Sequence, residues 1–98
     1  MSFEVARADQ RTAVVTISGE LDLGNVDQVA AAVEPVIAGG LERLVLAVGG
    51  LRFADSSAIA LWVRWSTRVP RIELHDPPPM LRRVLTTMGL AGRLGLEP

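Results

Sequence analysis

The run Phe53-Ala54-Asp55-Ser56-Ser57-Ala58-Ile59 sets a carboxylate and two hydroxyls where an extended stretch gives way to an apolar, helical one. Oxygens of Asp and Ser at such a junction accept from the orphan N–H groups of a helix's first turn. The same end of a helix favours negative charge. A phosphate ester on Ser57 would therefore be stabilised without any acid, base or nucleophile of the chain's own. The chemistry this run points to is modification of a hydroxyl by an outside enzyme. Its plainer reading is a simple helix cap, and the two roles are compatible.

Few other residues could do chemistry. The chain has no cysteine, which excludes disulfides, a thiol nucleophile and a zinc–thiolate site. All ten basic residues are Arg, so there is no lysine for a Schiff base or a phosphate loop. His75, the single histidine, has no cysteine or second histidine to join and reads as a surface residue at a strand end. Nothing supplies a catalytic triad around it. The helix N-terminus could hold a nucleotide or anion, but Gly49-Gly50 is too short for a phosphate loop. A net charge of -1 lacks the basic footprint of a nucleic-acid binder. The expectation is a binding protein, not an enzyme, with no cofactor and no metal.

The elements that must position the serines follow from patterning. Residues 11–18 are rich in β-branched side chains and read as a strand, residues 1–7 as a weaker one, joined by a turn at Ala8-Asp9-Gln10. Asn25 and Gln28 resemble a capping box. The helix after it carries Val26, Val29, Ala30, Val33 and Ile37 on one stripe and ends at Gly39-Gly40, with Pro35 expected to kink or shorten it. Residues 41–48 read as a central strand broken by Gly49-Gly50. A helix opens at Asp55/Ser56 and runs to about Thr67, followed by a short strand over 71–75. Asp76-Pro77 looks like a cap for a last helix whose core stripe is Leu81, Val84, Leu85 and Met88, stopped by Gly89. The order β-β-α-β-α-β-α predicts one α/β domain over residues 1–98, with a mixed sheet of four to five strands and three to four helices. The N-terminus lacks a basic region followed by an apolar stretch, and the densest apolar run, 58–63, is far short of the roughly 20 residues of a membrane span. A soluble cytoplasmic protein is expected, consistent with the absence of cysteine.

Three motifs in order resemble a known family. Gly19-Glu20-Leu21-Asp22 follows the second strand, Gly50 leads to Phe53-Ala54-Asp55-Ser56-Ser57 after the third, and Arg82-Arg83-Val84-Leu85 leads to Met88-Gly89-Leu90. Together they resemble a STAS domain of the anti-sigma-factor antagonist type over residues 14–94. The resemblance implies binding to an anti-sigma factor that is also a serine kinase, release of a sigma factor, and reversal by phosphorylation, with a phosphatase resetting the cycle. The phosphoacceptor it implies is Ser57. It also implies that the loop of Asp22 and Asn25 lies beside Asp55, Ser56, Ser57 and Ala58 and meets the partner. STAS domains serve also as fixed subunits of stress-sensing complexes and of membrane transporters, which is the alternative role. Two positions depart from the family pattern. Ala47 replaces an Asp, and Ala58 replaces a Gly and is expected to set a methyl group beside the serine.

The helix after the serines suggests a docking surface. Ile59, Trp62, Val63 and Ser66 share the face assigned to the core. Ser57, Leu61, Arg64 and Arg68 form another stripe flanked by Trp65, and Trp and Arg are frequent interface anchors. Exposed Leu61, Arg64 and Trp65 beside Ser57 are therefore expected to complete the partner surface; the equal alternative for Trp65 is packing against the neighbouring helix.

Overall fold

The two N-terminal β-rich runs pair directly. In the computed structural model, which describes residues 1–96, β1 (Ser2–Arg7) lies antiparallel to β2 (Thr12–Leu21), from Ser2 opposite Ser18 to Arg7 opposite Ala13. The turn between them is closed by the Ala8 N–H on the Thr12 carbonyl (3.0 Å) and the Arg11 N–H on the Asp9 carboxylate (2.8 Å). Helix α1 (Val26–Ala38) then crosses to β3 (Arg43–Ala54), α2 (Ser56–Ser66) crosses to β4 (Arg71–His75), and α3 (Pro79–Thr87) follows. The sheet order is β1-β2-β3-β4, with β2, β3 and β4 parallel. This is the mixed α/β arrangement expected, with four strands and three helices.

Alternation along the strands sorts the two sheet faces. Ala13, Val15 and Ile17, Leu44, Leu46 and Val48, and Ile72 and Leu74 enter one core with Val29 and Val33 of α1 and Trp62 of α2. The opposite face carries Thr16, Ala47, Glu73 and His75, which are exposed or half-buried. There Arg43 grips Glu73 through two bonds, Nε to Oε2 at 2.7 Å and Nη2 to Oε1 at 2.8 Å. The His75 Nε2 stands 3.0 Å from the same Oε1. The Arg43 hydrogen bonds, and after them that of His75, lower the Glu73 pKa from 4.5 to about 2.

Several local expectations are corrected. Pro35 does not shorten α1. It sits in the final turn, where one lost hydrogen bond leaves the helix running on to Ala38 before Gly39-Gly40 end it. Gly19-Glu20-Leu21 belongs to β2 itself, and Gly49-Gly50 lies inside β3 instead of ending it. The strands shift register between Thr16 and Ser18 and again between Gly19 and Glu20, then keep pairing. A glycine is needed at position 50, because a Cβ there would lie 2.8 Å from the Cβ of Ser18. Asp76 does not cap α3. It turns the chain with φ 56, and α3 starts only at Pro79, after consecutive prolines that hold their predecessors out of helical conformation. Gly89 does stop α3, with the Leu90 N–H on the Leu85 carbonyl at 2.9 Å and the Gly89 N–H on that of Thr86 at 3.0 Å. Of the expected α3 stripe only Leu81 and Leu85 are buried, while Val84 and Met88 face solvent.

Two outcomes test this architecture. Gly50→Ala costs about 1–3 kcal/mol in urea unfolding, because the added methyl forces β2 and β3 apart. An unchanged midpoint would contradict the close approach. The folded Glu73 carboxyl lies below its ordinary value, so the unfolded chain takes up the proton first as pH falls. Its stabilisation is present above pH 4.5 and is lost as the pH drops through about 2. Glu73→Gln therefore lowers Tm at neutral pH, and its Tm converges on that of the wild type toward pH 2. A constant difference across that range would count against the pair.

Candidate functional site

Pairing of β2 with β3 ends at Leu21 opposite Ala54, so Asp22 and Asp55 leave two adjacent parallel strands at the same edge of the sheet. Each then folds the backbone that follows it. The Asp22 carboxylate accepts from the Gly24 N–H at 2.9 Å, and its carbonyl accepts from the N–H groups of Asn25 (3.1 Å) and Val26 (2.8 Å). Asn25 occupies the N-cap position of α1 but makes no side-chain cap bond, so the capping box with Gln28 does not form. Its backbone (φ -133, ψ -5) lies outside the extended region from which a cap side chain reaches the first turn. The amide turns back instead. Its Oδ1 accepts from the Asp22 N–H at 3.0 Å and its Nδ2 donates to the Glu20 carbonyl at 2.9 Å, stapling the loop onto β2.

Asp55 does more than cap. Its backbone is extended (φ -91, ψ -175), which aims the side chain over the start of α2. Oδ1 accepts from the N–H of Ser57 at 2.9 Å, from the N–H of Ala58 at 3.2 Å and from the Ser57 hydroxyl at 2.5 Å. Oδ2 accepts from the Leu23 N–H, across in the Asp22 loop, at 3.0 Å. These donors, the Ser57 hydroxyl first among them, hold the Asp55 carboxyl below the usual carboxylate range. An ionised acceptor also suits the short Ser57 bond. Ser56 is exposed and Ser57 half-buried. Its proton is committed to Asp55, and its lone pairs have no other partner among the described residues.

The structure brings Asp22, Asn25, Asp55, Ser56 and Ser57 into one cluster, with Arg64 exposed farther along α2. It removes three of the expected partner residues. Ala58 and Trp65 are 0% exposed and Leu61 is 1% exposed. The buried face of α2 is Ala58, Ile59, Leu61, Trp62 and Trp65, and Val63 and Ser66, assigned to the core, are only half-buried. The face is wide because α2 packs on β3 and β4 and against α1 at once. Arg68 joins that second contact, donating to both carboxylate oxygens of Glu34 on α1 at 2.8 and 2.7 Å. With Ala58 buried, its methyl group does not crowd the approach to Ser57. Two accessible apolar residues escaped the sequence reading: Leu23, 76% exposed beside Asp22, and Phe53, 53% exposed before Asp55. The signal for Leu23 was an apolar residue in a tight polar turn. That for Phe53 was masked by the second register shift, where Leu51 and Phe53, two apart on β3, pair with consecutive Gly19 and Glu20 of β2 and so do not share a face.

The core role of Trp65 is testable. Trp65→Ala destabilises by about 3–5 kcal/mol in urea unfolding, whereas Arg64→Glu stays within about 0.5 kcal/mol. Wild-type stability of Trp65→Ala would restore it to the surface.

A family model described as "Mlab, STAS domain" matches residues 4–98. The chain is similar to the anti-sigma factor antagonist SpoIIAA solved in its unphosphorylated form, with a TM-score of 0.82 and 27% identity over 93% of this chain and 84% of that one. It is also similar to the Bacillus cell fate determinant SpoIIAA in the phosphorylated form, at TM-score 0.76 and 27% identity over 93% and 86% of the two chains. An anti-sigma factor antagonist from Mycobacterium paratuberculosis shares the fold at TM-score 0.82 and 21% identity, over 99% of this chain and 85% of that one. No curated protein matches the chain. With the family model spanning nearly its whole length and the sheet and helices in the matching order, the chain belongs to the STAS domain family.

Proposed function

We propose that this chain is an anti-sigma factor antagonist: it binds an anti-sigma factor of the serine-kinase type and is switched off by phosphorylation of Ser57. The observation that carries this reading is the bond from the Ser57 hydroxyl to Asp55, the same carboxylate that holds the Leu23 N–H. Phosphorylation removes that donor and adds about -1.5 to -2 charges. A dianion then faces the Asp55 carboxylate, and both compete for the N–H groups of Ser57 and Ala58. The link from Asp55 to the Asp22 loop weakens, and a surface matched to a neutral hydroxyl becomes strongly anionic. The partner leaves, and a phosphatase restores the binding form. The accessible surface comprises Asp22, Asn25, Asp55, Ser56, Ser57 and Arg64, with Leu23 and Phe53 as apolar contacts. The likeness to SpoIIAA, solved in both phosphorylation states, supports the reading. In this role the chain performs no chemistry itself and works in the cytoplasm. Among the described residues no helix is long and apolar enough to cross a membrane.

A second reading is a non-cycling STAS subunit of a stress-sensing complex or a membrane transporter assembly. Ala47, which stands where the family resemblance implies an Asp, favours it.

The two readings separate in one experiment. The partner is captured with the wild-type chain, and its affinity is measured against Ser57→Asp and Ser57→Ala. The switch predicts that Ser57→Asp loses about tenfold or more, since like charges at an interface cost several kcal/mol. It predicts that Ser57→Ala binds but takes up no phosphate, as read by mass spectrometry. Equal binding by both variants would sink the switch, and a stable complex with transporter subunits indifferent to both favours the second reading.

A further inference from the structure

Helix α3 carries apolar side chains that the rest of the molecule does not cover. Met80, Val84 and Met88 stand at i, i+4 and i+8, so they share one face, and they are 70%, 38% and 55% exposed. Phe53, at the end of β3, is 53% exposed. A half-enclosed cavity of about 180 Å³ lies between that strand end and α3, lined by Leu51, Phe53, Met80 and Val84 among others, with Arg52 also in its wall. Single exposed apolar residues are ordinary, but a contiguous set beside a cavity marks an interaction surface. Pockets for whole small molecules run to about 300–1,000 Å³. This one is smaller and suits a single large apolar side chain.

Charge narrows the occupant further. Helix α3 itself carries Arg82 and Arg83 and no Asp or Glu. Arg83 is exposed, one helical turn from Met80. Neither Arg83 nor Arg52 takes part in an ion pair among the described residues. A second copy docking ridge to ridge would oppose arginine to arginine, so self-association is disfavoured. A complementary surface is apolar along its centre and acidic at its margins.

We propose that the α3 ridge and its cavity dock an amphipathic helix of a protein partner. One apolar side chain of that helix fills the space between Phe53 and Met80/Val84, and acidic residues beside its apolar stripe meet Arg52 and Arg83. This is helix-in-groove recognition, and the unbranched Met80 and Met88 side chains adapt readily to an incoming surface. The contact shares Phe53 with the surface proposed above for the anti-sigma factor, but it otherwise uses α3 and does not involve the Ser57 hydroxyl.

A display library of short helical peptides, selected against the full chain, tests this. Selected peptides carry Leu, Phe or Met at three- and four-residue spacing with Asp or Glu alongside. Amide shifts on titration concentrate at Phe53, Met80 and Val84. Affinity falls about tenfold or more, the scale of losing an interface anchor, in the double variant Met80→Ser/Val84→Ser and falls also in Arg83→Glu. These positions are exposed, and an unchanged Tm verifies that the variants fold. The proposal is overturned if no peptide is selected, if the selected peptides lack acidic residues, or if they bind the variants as tightly as the wild type. Co-sedimentation with phosphatidylglycerol vesicles, lost in the double variant while no peptide is selected, overturns it in favour of a lipid surface. A dimer that the double variant abolishes overturns it in favour of a second copy.

Discussion

The Asp55 carboxylate ties together three parts of the molecule at one edge of the sheet. It satisfies the first turn of α2, fixes the Ser57 hydroxyl and ties down the loop that carries Asp22. A carboxylate can accept several hydrogen bonds at once, and here four donors meet its two oxygens. That arrangement works only if Asp55 and Asp22 emerge from the sheet side by side. Their positions are set by strand register, which in turn depends on Gly50 letting β2 and β3 stay close through an irregular stretch. The local chemistry of one hydroxyl thus rests on backbone packing several residues upstream.

The body of α2 has a different task from its N-terminus. Pressed against β3, β4 and α1, it uses its large side chains as core and keeps mainly small or charged ones outside. A recognition surface built on this domain must therefore draw on strand ends and loops, where Leu23 and Phe53 stand beside the carboxylates, and on α3. Division of labour along a single helix explains why a charge gained at its tip can alter binding without disturbing the fold: the tip is solvated and the rest is sealed.

Much of this was legible in the residues. The alternation of β-branched and helical runs gave the element order, and Asp55-Ser56-Ser57 identified the cap and its hydroxyl. What failed shares a physical cause. Helical spacing shows which side chains share a face but not how wide the buried face is. Width depends on the number of neighbours, so Leu61 and Trp65 were assigned outward and Val84 and Met88 inward. Asn25 looked like a cap because residue type reveals a capacity for hydrogen bonding, whereas backbone angles decide which partners are reached. Gly49-Gly50 looked like a strand end because glycine both ends strands and permits close strands, and only the facing Ser18 distinguishes the two.

The burial of both tryptophans has a practical consequence. The chain has no tyrosine, so its ultraviolet emission comes almost wholly from Trp62 and Trp65, one turn apart and 0% exposed on α2. Neither indole Nε1–H has a hydrogen-bond partner among the described residues. The native fluorophores are therefore buried in the apolar core and emit toward the blue. Denaturation wets them and moves the spectrum to the red, while an event confined to the Asp55 loop leaves it unchanged. The molecule carries an optical gauge of its own folding that is blind to its surface.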